Sequence, residues 1–324
     1  MSELEQIKEP IRAEMKEFEK KFDASLKTSV PLLSVITNHL LRRKGKQMRP
    51  MFVFLSAQMQ GGVTPSTHVA ATLIELLHTA TLVHDDVVDE SYERRGFFSI
   101  NAIWRSKISV LLGDFMLARG LLVSMENNAF DLLKIVTEAV QEVSEGELMQ
   151  IQKSRRQVIS ADQYFEIIRK KTATLIAACT ASGAKSAGAD ESAVEKMKQV
   201  GMNAGVAFQI KDDLFDYDRK SATGKPAAND LKEKKFTLPL LHSLSVASRE
   251  DYRHIASILR SKQMSPQKVE EVIRFVERSG GLTYAHGKMI EYRDKAIGML
   301  EQFPSSPAKD SFIRLIQYTT DRKH

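Results

Sequence analysis

Two copies of one acidic pattern constrain the fold of this 324-residue chain more than any other feature. The pattern reads Asp85-Asp86-Val87-Val88-Asp89 and, far downstream, Asp212-Asp213-Leu214-Phe215-Asp216. In each copy the first and last aspartates stand at i and i+4, so on a helix they lie on one face, one turn apart. Both copies sit in apolar runs, Leu73 to Val88 and Val206 to Phe215, where a buried carboxylate needs a partner. The pattern therefore predicts two helices that each present an acidic face to a cation.

The chemistry of the pattern indicates which cation this is. The ligands are oxygen atoms alone, without a His/Cys cluster, and this set favours magnesium over zinc. Magnesium that is held by few carboxylates keeps its other positions for water and phosphate. Two such patches facing each other would therefore clamp a diphosphate. A single copy reads equally well as a solvated acidic helix end, and the duplication favours the metal site.

A diphosphate site also needs positive charge, and cations cluster upstream of the first motif. Five of them fall within eight residues, namely Arg42, Arg43, Lys44, Lys46 and Arg49. Gly45 interrupts the cluster and Pro50 closes it, an arrangement typical of a loop that opens a helix. Backbone N–H groups at such a helix start add to anion binding. Taken alone, the cluster also fits an exposed loop with solubilising charge.

More cations accompany the acidic motifs. Arg94-Arg95-Gly96 follows the first motif directly, and arginine suits bidentate contact with phosphate. Lys170-Lys171-Thr172 and the stretch from Lys225 to Lys235 add further positive charge. The summed pattern is two acidic metal patches surrounded by cations.

These residues resemble the trans-prenyl diphosphate synthases, polyprenyl synthetases that extend an allylic diphosphate with isopentenyl diphosphate. The resemblance runs from end to end and rests on short motifs in a fixed order. Those outside the aspartate motifs are Gly45 to Pro50, Glu75 to Ala80, Arg94 to Gly96, Asn101 to Trp104, Gly113-Asp114, Gly146-Glu147, Lys171 to Ala173, Phe208 to Lys211, Gly224 to Pro226, Asn229 to Leu231 and Lys235 to Pro239. Each motif is weak alone, and their order together identifies the family.

The resemblance implies a role for each matching residue. Isopentenyl diphosphate would be held by Lys46, Arg49, His78 and Arg95. The allylic diphosphate would be held by Arg94, Lys171, Thr172, Gln209, Lys225 and Lys235, of which Arg94, Lys171, Thr172 and Gln209 are the predicted catalytic residues. Two or three Mg²⁺ ions would contact Asp85, Asp89 and Asp212 directly, with Asp86, Asp213 and Asp216 in support through water or hydrogen bonds.

Three positions depart from the family pattern. Phe97-Phe98 stands where a residue and then proline are usual, and Gln47 replaces a frequent arginine. In the family this segment is a flexible loop that normally contains glycine, and here it reads Ala227-Ala228. Whether the loop closes over the site as a lid is therefore not predicted.

Apolar residues at helical spacing predict the fold. They run from Thr72 to Val88, Val110 to Met125 and Phe130 to Ile151, and no convincing alternating strand interrupts them. The pairs Gly61-Gly62 and Gly280-Gly281 read as punctuation between helices. We therefore predict an all-α protein, one helical bundle with a magnesium site in its core. The resemblance implies that it is a single large helical bundle of the isoprenoid synthase type with a central active-site cavity. One prenyl synthase domain would cover residues 1–324.

Composition sets the expected surroundings. The single cysteine, Cys179, excludes an internal disulfide framework and suits a reducing cytoplasm. The segment from Ser2 to Phe22 is charged rather than a signal peptide, and no apolar run reaches the ~18–20 residues of a membrane span. The net charge of +6 does not predict nucleic-acid binding, because the basic clusters lie near acidic motifs. The resemblance implies a homodimer, and peripheral membrane contact for product release stays open.

Three other functions are weaker. A terpene cyclase shares the first acidic motif but has no use for a second diphosphate pocket. A di-iron bundle needs Glu-x-x-His on two helices. Glu75 to His78 offers one such match, and the sequence contains no second. A non-catalytic subunit of a two-component prenyl synthase tends to lose its aspartate motifs, and both are whole here. The favoured function is magnesium-dependent head-to-tail (1'-4) condensation of isopentenyl diphosphate with an allylic diphosphate.

Product length depends on the residues before the first motif. Thr81 lies one turn before Asp85 on the same face, and Ala80 occupies the position where short-chain family members tend to carry a bulky aromatic residue. Both residues are small, which favours a long all-trans product such as heptaprenyl or octaprenyl diphosphate for quinone side chains. Geranylgeranyl or farnesyl diphosphate is the alternative if a deeper residue closes the tunnel early.

Overall fold

The computed structural model is built from helices. It describes residues 2–42, 45–91, 93–94, 97–156, 159–217, 229–233, 235–261 and 263–321, and of residues 93, 94, 97, 154–156, 229 and 232 only the backbone. The helices are α1 Glu3–Ile7, α2 Arg12–Ser25, α3 Pro31–Leu41, α4 Met48–Met59, α5 Pro65–Val88, α6 Ile100–Glu126, α7 Phe130–Arg156, α8 Ala161–Ile168, α9 Thr174–Ser186, α10 Glu191–Phe215, α11 Asn229–Lys232, α12 Leu238–Ser245, α13 Arg249–Arg260, α14 Pro266–Arg278, α15 Gly281–Glu301 and α16 Pro307–Asp321. The all-α fold class is confirmed.

The described residues also form two short non-α helical turns and a two-stranded ladder. A 3₁₀ turn, Glu9–Ile11, joins α1 to α2, and a π-helical turn, Arg169–Ala173, joins α8 to α9. The strands β1 Glu93–Arg94 and β2 Phe97–Phe98 form one antiparallel ladder after α5. Within the described residues, this ladder is the one departure from the expected absence of strands.

The glycine pairs that were predicted to separate helices lie at the junctions between helices in the structure. Gly61 and Gly62 take φ values of +135° and +110° between α4 and α5, and Gly280 takes +75° just before α15. Only a residue without Cβ adopts such angles at little cost. Thr64 then caps α5 through a reciprocal pair of bonds with Thr67.

The chain divides into two compact units, and each is described by itself. Unit 1 comprises Met1–Val140, Ile176–Gly201 and Met299–Leu315, and unit 2 comprises Gln141–Leu175, Met202–Gly298 and Ile316–His324. The single domain over residues 1–324 stays a prediction.

Unit 1 is organised around α5, which is buried along most of its length. Helix α6 runs antiparallel to it: Gly120 meets Leu73 and Leu77, and Gly113 meets His84. Around this pair, aromatic rings fill the core; Phe52 packs edge-on against Phe312 with centroids 5.6 Å apart. The antiparallel pair holds the acidic C-terminal end of α5 beside the start of α6.

Unit 2 contains two apolar clusters. One is formed by α11 to α14 and the other by α8, the π-helical turn, α10, α12 and α15. The second cluster includes Ala173, Val206 and Ile210, all fully buried. It lies directly under the second acidic motif on α10.

Helix α6 corrects one expectation. By length and composition it is apolar enough to cross a membrane, with an 18-residue window of mean hydropathy 1.7, of which 33% is buried. No other described helix passes this test. The prediction that no apolar run reaches the length of a membrane span was wrong for α6. Asp114 and Arg119 interrupt its apolar run, but the mean hydropathy of the window stays as high as that of a membrane-spanning helix.

Candidate active site

The first acidic motif occupies the last turn of α5. Asp85 is half-buried, Asp86 is buried at 3% exposure, and Asp89 is the exposed C-cap residue. Asp85 and Asp89 lie one turn apart on the same face, as predicted. The amide of Asn101 donates to the carbonyl of Asp86 at 3.1 Å, and the Ser91 N–H donates to the same oxygen at 3.0 Å. These bonds hold the helix end that carries the carboxylates.

His84, directly before the motif, is fixed by α6. Its Nε2 lies 3.2 Å from the Val110 carbonyl and 3.6 Å from a carboxylate oxygen of Asp114. A Cβ at Gly113 would stand 2.1 Å from the same nitrogen, so only glycine leaves room for the ring. The family motif Gly113-Asp114 thus acts on His84, a residue to which sequence reasoning gave no role.

The predicted isopentenyl diphosphate ligands begin at α4. This helix starts at Met48 after Gln47, which has a φ of +53°, and Lys46 is exposed in the preceding loop. Arg49 lies half-buried in the first turn, as the position of Pro50 predicted. The predicted helix start after the glycine is confirmed, with Lys46 in the loop before it, whereas Arg42 is the C-cap residue of α3. Arg43, Lys44 and Arg95 lie outside the described residues.

Arg49 belongs to a buried neighbourhood that also includes Glu75 and Cys179. Burial raises the pKa of the Cys179 thiol to about 12; the charge of Arg49 opposes the rise and that of Glu75 adds to it. His78, one turn after Glu75, is half-buried, and its carbonyl accepts from Thr81 Oγ1 at 2.8 Å. Unit 1 therefore brings together α4, α5 and α9 around Arg49.

The second acidic motif occupies the end of α10 in unit 2. Asp212 and Asp216 are half-buried, whereas Asp213 is buried at 4% exposure. Burial raises the pKa of Asp213 to about 7, against hydrogen bonds from Tyr164 and Gln209 that lower it. Asp216 Oδ1 accepts from the N–H of Asp230 at 3.3 Å, which ties α11 to the end of α10. The three aspartates thus occupy different environments.

Lys171 and Thr172 lie on the π-helical turn. Lys171 Nζ donates to Gln150 Oε1 at 2.9 Å and forms an ion pair with Glu147, both on α7. Thr172 Oγ1 donates to Gln209 Oε1 at 2.7 Å, so the predicted ligands Thr172 and Gln209 are bonded to each other. π-Helical turns are rare and occur often at functional sites.

Two glycines allow neighbouring helices to approach this turn. A Cβ at Gly146 of α7 would lie 2.8 Å from the Lys171 backbone nitrogen, and one at Gly205 of α10 would lie 2.5 Å from Ala173 Cα. Neither distance is compatible with a side chain. The turn is therefore held on two sides, which explains the glycine of the Gly146-Glu147 motif.

The remaining predicted ligands are placed only in part. Lys235 Nζ lies 3.8 Å from Asp230 Oδ1 and 2.5 Å from a carboxylate oxygen of Glu233. Arg94 lies in β1, where only its backbone is described, and Lys225 and the loop residues Ala227-Ala228 fall outside the described residues.

The predicted chain-length residues lie on different faces of α5. Ala80 is fully buried and, between Leu77 and His84, falls on the side that meets α6. Thr81 is half-buried on the side of Asp85. Ala80 therefore lies off the face of α5 that carries Asp85.

The described carboxylates offer oxygen ligands for a metal, but they do not by themselves form a complete coordination sphere. Among the described residues no group of three or more His, Cys, Asp or Glu side chains surrounds one point. Asp85 with Asp89 and Asp212 with Asp216 instead supply paired carboxylates in the i, i+4 arrangement. This donor set fits a hard cation that takes its other ligands from water and a diphosphate.

Some residues of the site had no signal in the sequence. Tyr164 donates to Asp213 Oδ2 at 2.7 Å from a position 49 residues away. A tyrosine in an amphipathic helix needs a partner for its hydroxyl when buried, but local sequence does not name that partner. Asn101, Glu147 and Gln150 stand in or beside recognised motifs, and only the structure shows what each holds.

An all-helical fold with two aspartate-rich helix ends and a π-helical Lys-Thr turn defines the class as helical enzymes of the isoprenoid synthase fold. The polyprenyl synthetase family matches residues 30–276. The chain belongs to this family and is a prenyltransferase. Members of the family use a divalent metal.

Individual relatives cover nearly the whole chain. An all-trans-nonaprenyl-diphosphate synthase (geranyl-diphosphate specific) of Rhodobacter capsulatus is 35% identical over 97% of this chain and 96% of its own length. The crystal structure of a polyprenyl synthase from Caulobacter crescentus CB15, complexed with calcium and isoprenyl diphosphate, superposes with a TM-score of 0.90 at 30% identity, covering 99% of this chain and 98% of that one. A geranylgeranyl pyrophosphate synthase from Bacteroides thetaiotaomicron has a TM-score of 0.85 at 36% identity, covering 99% and 100%.

Proposed function

We propose that this prenyltransferase is a magnesium-dependent trans-polyprenyl diphosphate synthase. It would join isopentenyl diphosphate head to tail to an allylic diphosphate and repeat the step to a long all-trans product. The observation that carries the proposal is the pair of i, i+4 carboxylate faces, Asp85 with Asp89 and Asp212 with Asp216, in a chain of this family. Two or three Mg²⁺ ions per active site are part of the proposal.

The residues of the chain support distinct parts of the reaction. When bound, the metal would stabilise the negative charge that develops on the leaving diphosphate. Lys171, carried on a turn that two helices hold, adds a positive charge for the same group. Lys46, Arg49, His78 and Arg95 hold isopentenyl diphosphate so that its double bond meets the allylic carbon, which is a proximity effect. The departing pyrophosphate then takes the proton that the new bond releases.

The test is an incubation of the purified protein with Mg²⁺, isopentenyl diphosphate and labelled farnesyl diphosphate. We expect label in products longer than farnesyl diphosphate, sized by chromatography after dephosphorylation. Chelator should abolish the product. Absence of any product longer than farnesyl diphosphate at all metal concentrations would contradict the proposal and the geranylgeranyl alternative. A repeat with labelled geranyl diphosphate then tests the farnesyl diphosphate synthase alternative, which would convert it to farnesyl diphosphate alone. Activity that appeared only with a second protein would favour a subunit of a two-component enzyme.

Long product length is the finer part of the proposal. The fully buried Ala80 supports it, because a methyl group occupies less volume beside α6 than the aromatic ring that the resemblance associates with short products. The nonaprenyl synthase among the relatives agrees, whereas the geranylgeranyl synthase keeps the shorter product as the alternative. By register, Ala80 lies opposite the part of α6 between Gly113 and Gly120, where Met116 is also fully buried.

A homodimer in the cytoplasm completes the proposal. Its support is a set of exposed apolar side chains on α6 and at the start of α7, which a second copy of the chain would cover. They are Val110, Leu111, Leu121, Leu122, Met125 and Phe130, exposed by 41% to 56%. Light scattering should then give about twice the 36.5 kDa of one chain. A monomer at working concentration would contradict the dimer, and cell fractionation tests the location and any peripheral membrane contact.

A further inference from the structure

A buried chain of hydrogen bonds in unit 2 converges on Asp213. Tyr164 of α8 donates its hydroxyl to Oδ2 at 2.7 Å, and Gln209 of α10 donates Nε2 to Oδ1 at 3.0 Å. The Leu238 N–H approaches Oδ2 at 3.5 Å. Gln209 in turn accepts from Thr172 at 2.7 Å, so the chain runs from α8 through α10 to the π-helical turn.

The geometry assigns Asp213 a supporting rather than a ligating role. A carboxylate offers about four lone-pair directions, and three donors already occupy Asp213. The side chain is also only 4% exposed, whereas its neighbours Asp212 and Asp216 are half-buried. Asp213 therefore acts as an internal acceptor that orients the end of α10, while the other two aspartates can face a metal.

The π-helical turn is tied to α10 at both ends, and Tyr164 forms one of these two ties. It lies on α8, five residues before the turn begins at Arg169, and is itself 3% exposed. Its bond to Asp213 ties the start of this segment to α10, and the bond from Thr172 to Gln209 ties its end to the same helix. Between these two ties the chain presents Lys171.

We propose that Tyr164 is a positioning residue for the Mg²⁺–diphosphate end of the allylic substrate. Its hydroxyl holds Asp213, and through Gln209 and Thr172 it sets the orientation of Lys171 and of the adjacent Asp212. This inference rests on the proposed function. A tyrosine that only filled the core would affect stability and not the binding of Mg²⁺ and diphosphate.

The test compares Tyr164→Phe with Tyr217→Phe. Tyr217 is also 3% exposed in unit 2, and its hydroxyl is bonded at 2.6 Å, but to Thr237 rather than to Asp213. Both variants keep the ring and lose one buried hydroxyl. Thermal denaturation first establishes that each variant is folded, and calorimetry then measures the binding of Mg²⁺ with inorganic pyrophosphate as the probe.

We expect Tyr164→Phe to weaken Mg²⁺–pyrophosphate binding roughly tenfold, the usual effect of losing a hydrogen bond to a charged group. In kinetics with the full enzyme it should lower kcat and raise the KM for the allylic diphosphate and the Mg²⁺ concentration for half-activation. The KM for isopentenyl diphosphate should stay within about twofold. Tyr217→Phe should lose stability without these shifts.

Three results would overturn the inference: wild-type binding in Tyr164→Phe, equal shifts in both variants, or an equal rise in KM for both substrates. Any of them in an active wild-type enzyme would leave the proposed function intact. An inactive wild type would instead remove the proposed function itself.

Discussion

At the scale of single residues, identical side chains have different roles according to their burial. Asp85, Asp212 and Asp216 are half-buried, whereas Asp86 and Asp213 are 3% and 4% exposed. On a helix the second aspartate of each motif points about 100° away from the first, and here that direction is the interior. Direct contact with the metal is thus proposed for the more accessible carboxylates.

Asp212→Ala should abolish turnover while the helical circular dichroism spectrum is retained. The substitution removes a carboxylate proposed to contact the metal and costs little packing, so the loss should be several orders of magnitude. Glu195→Ala, an exposed carboxylate on the same helix, serves as the control and should stay active. Full activity of Asp212→Ala would contradict the metal assignment.

Arg49→Ala should raise the KM for isopentenyl diphosphate much more than that for the allylic substrate. A lost charge-assisted contact with phosphate costs about 1.5–3 kcal/mol, which corresponds to roughly tenfold to a hundredfold. Steady-state kinetics with each substrate varied in turn measures the split. An equal rise for both would show that the two pockets have been merged or exchanged.

Cys179 should be unreactive in the folded enzyme. Burial raises the pKa of its thiol to about 12, so almost no thiolate is present at pH 8, and the sulfur is fully enclosed. Titration with a disulfide reagent should find no accessible thiol in the native protein and one per chain after denaturation. Rapid labelling of the native protein would mean that α9 opens readily.

At the scale of elements, glycines decide where helices meet. Gly113, Gly146 and Gly205 each leave room for a neighbouring residue that a Cβ would displace. Two of these contacts act on the π-helical turn and one acts on the residue before the first motif. Such contacts keep the functional side chains on rigid helices rather than on loops.

Gly113→Ala should lower activity by displacing the ring of His84, next to Asp85. The new methyl carbon would stand 2.1 Å from His84 Nε2, which cannot stay bonded to the Val110 carbonyl. Gly120→Ala on the same helix is the control, because its Cβ would meet a terminal methyl carbon of Leu73 at 3.3 Å, a tight contact that a shift of a few tenths of an ångström in that side chain relieves. The Mg²⁺ concentration for half-activation should rise in Gly113→Ala alone. If both variants behave like the wild type, His84 does not orient the motif.

Sequence periodicity predicted the long helices well but not their contacts. The runs Thr72 to Val88, Val110 to Met125 and Phe130 to Ile151 all lie inside observed helices, because helical spacing is a local property. The π-helical turn at Arg169–Ala173 was not predicted, and the close approach of Gly146 and Gly205 to it joins positions that are distant in the sequence.

At the scale of the whole molecule, product length is decided by the space available to the growing chain. Ala80→Tyr should shorten the product sharply, because a ring at a fully buried position facing α6 cannot be accommodated in a packed wall without closing space. Chromatographic sizing of the dephosphorylated products measures the change. A wild type that already stops at farnesyl diphosphate, or a variant with unchanged product, would show that Ala80 does not limit length.

The sequence by itself determined the helical class, the two acidic motifs and the family, because all three depend on residue types at short, regular spacing. It also placed the basic loop at the start of α4 from one glycine and one proline. Only the tertiary structure decided which aspartates are buried, which partners they have and where glycine is required. Those properties depend on residues such as Tyr164 and Asp213, which are 49 positions apart and meet only when α8 and α10 pack together.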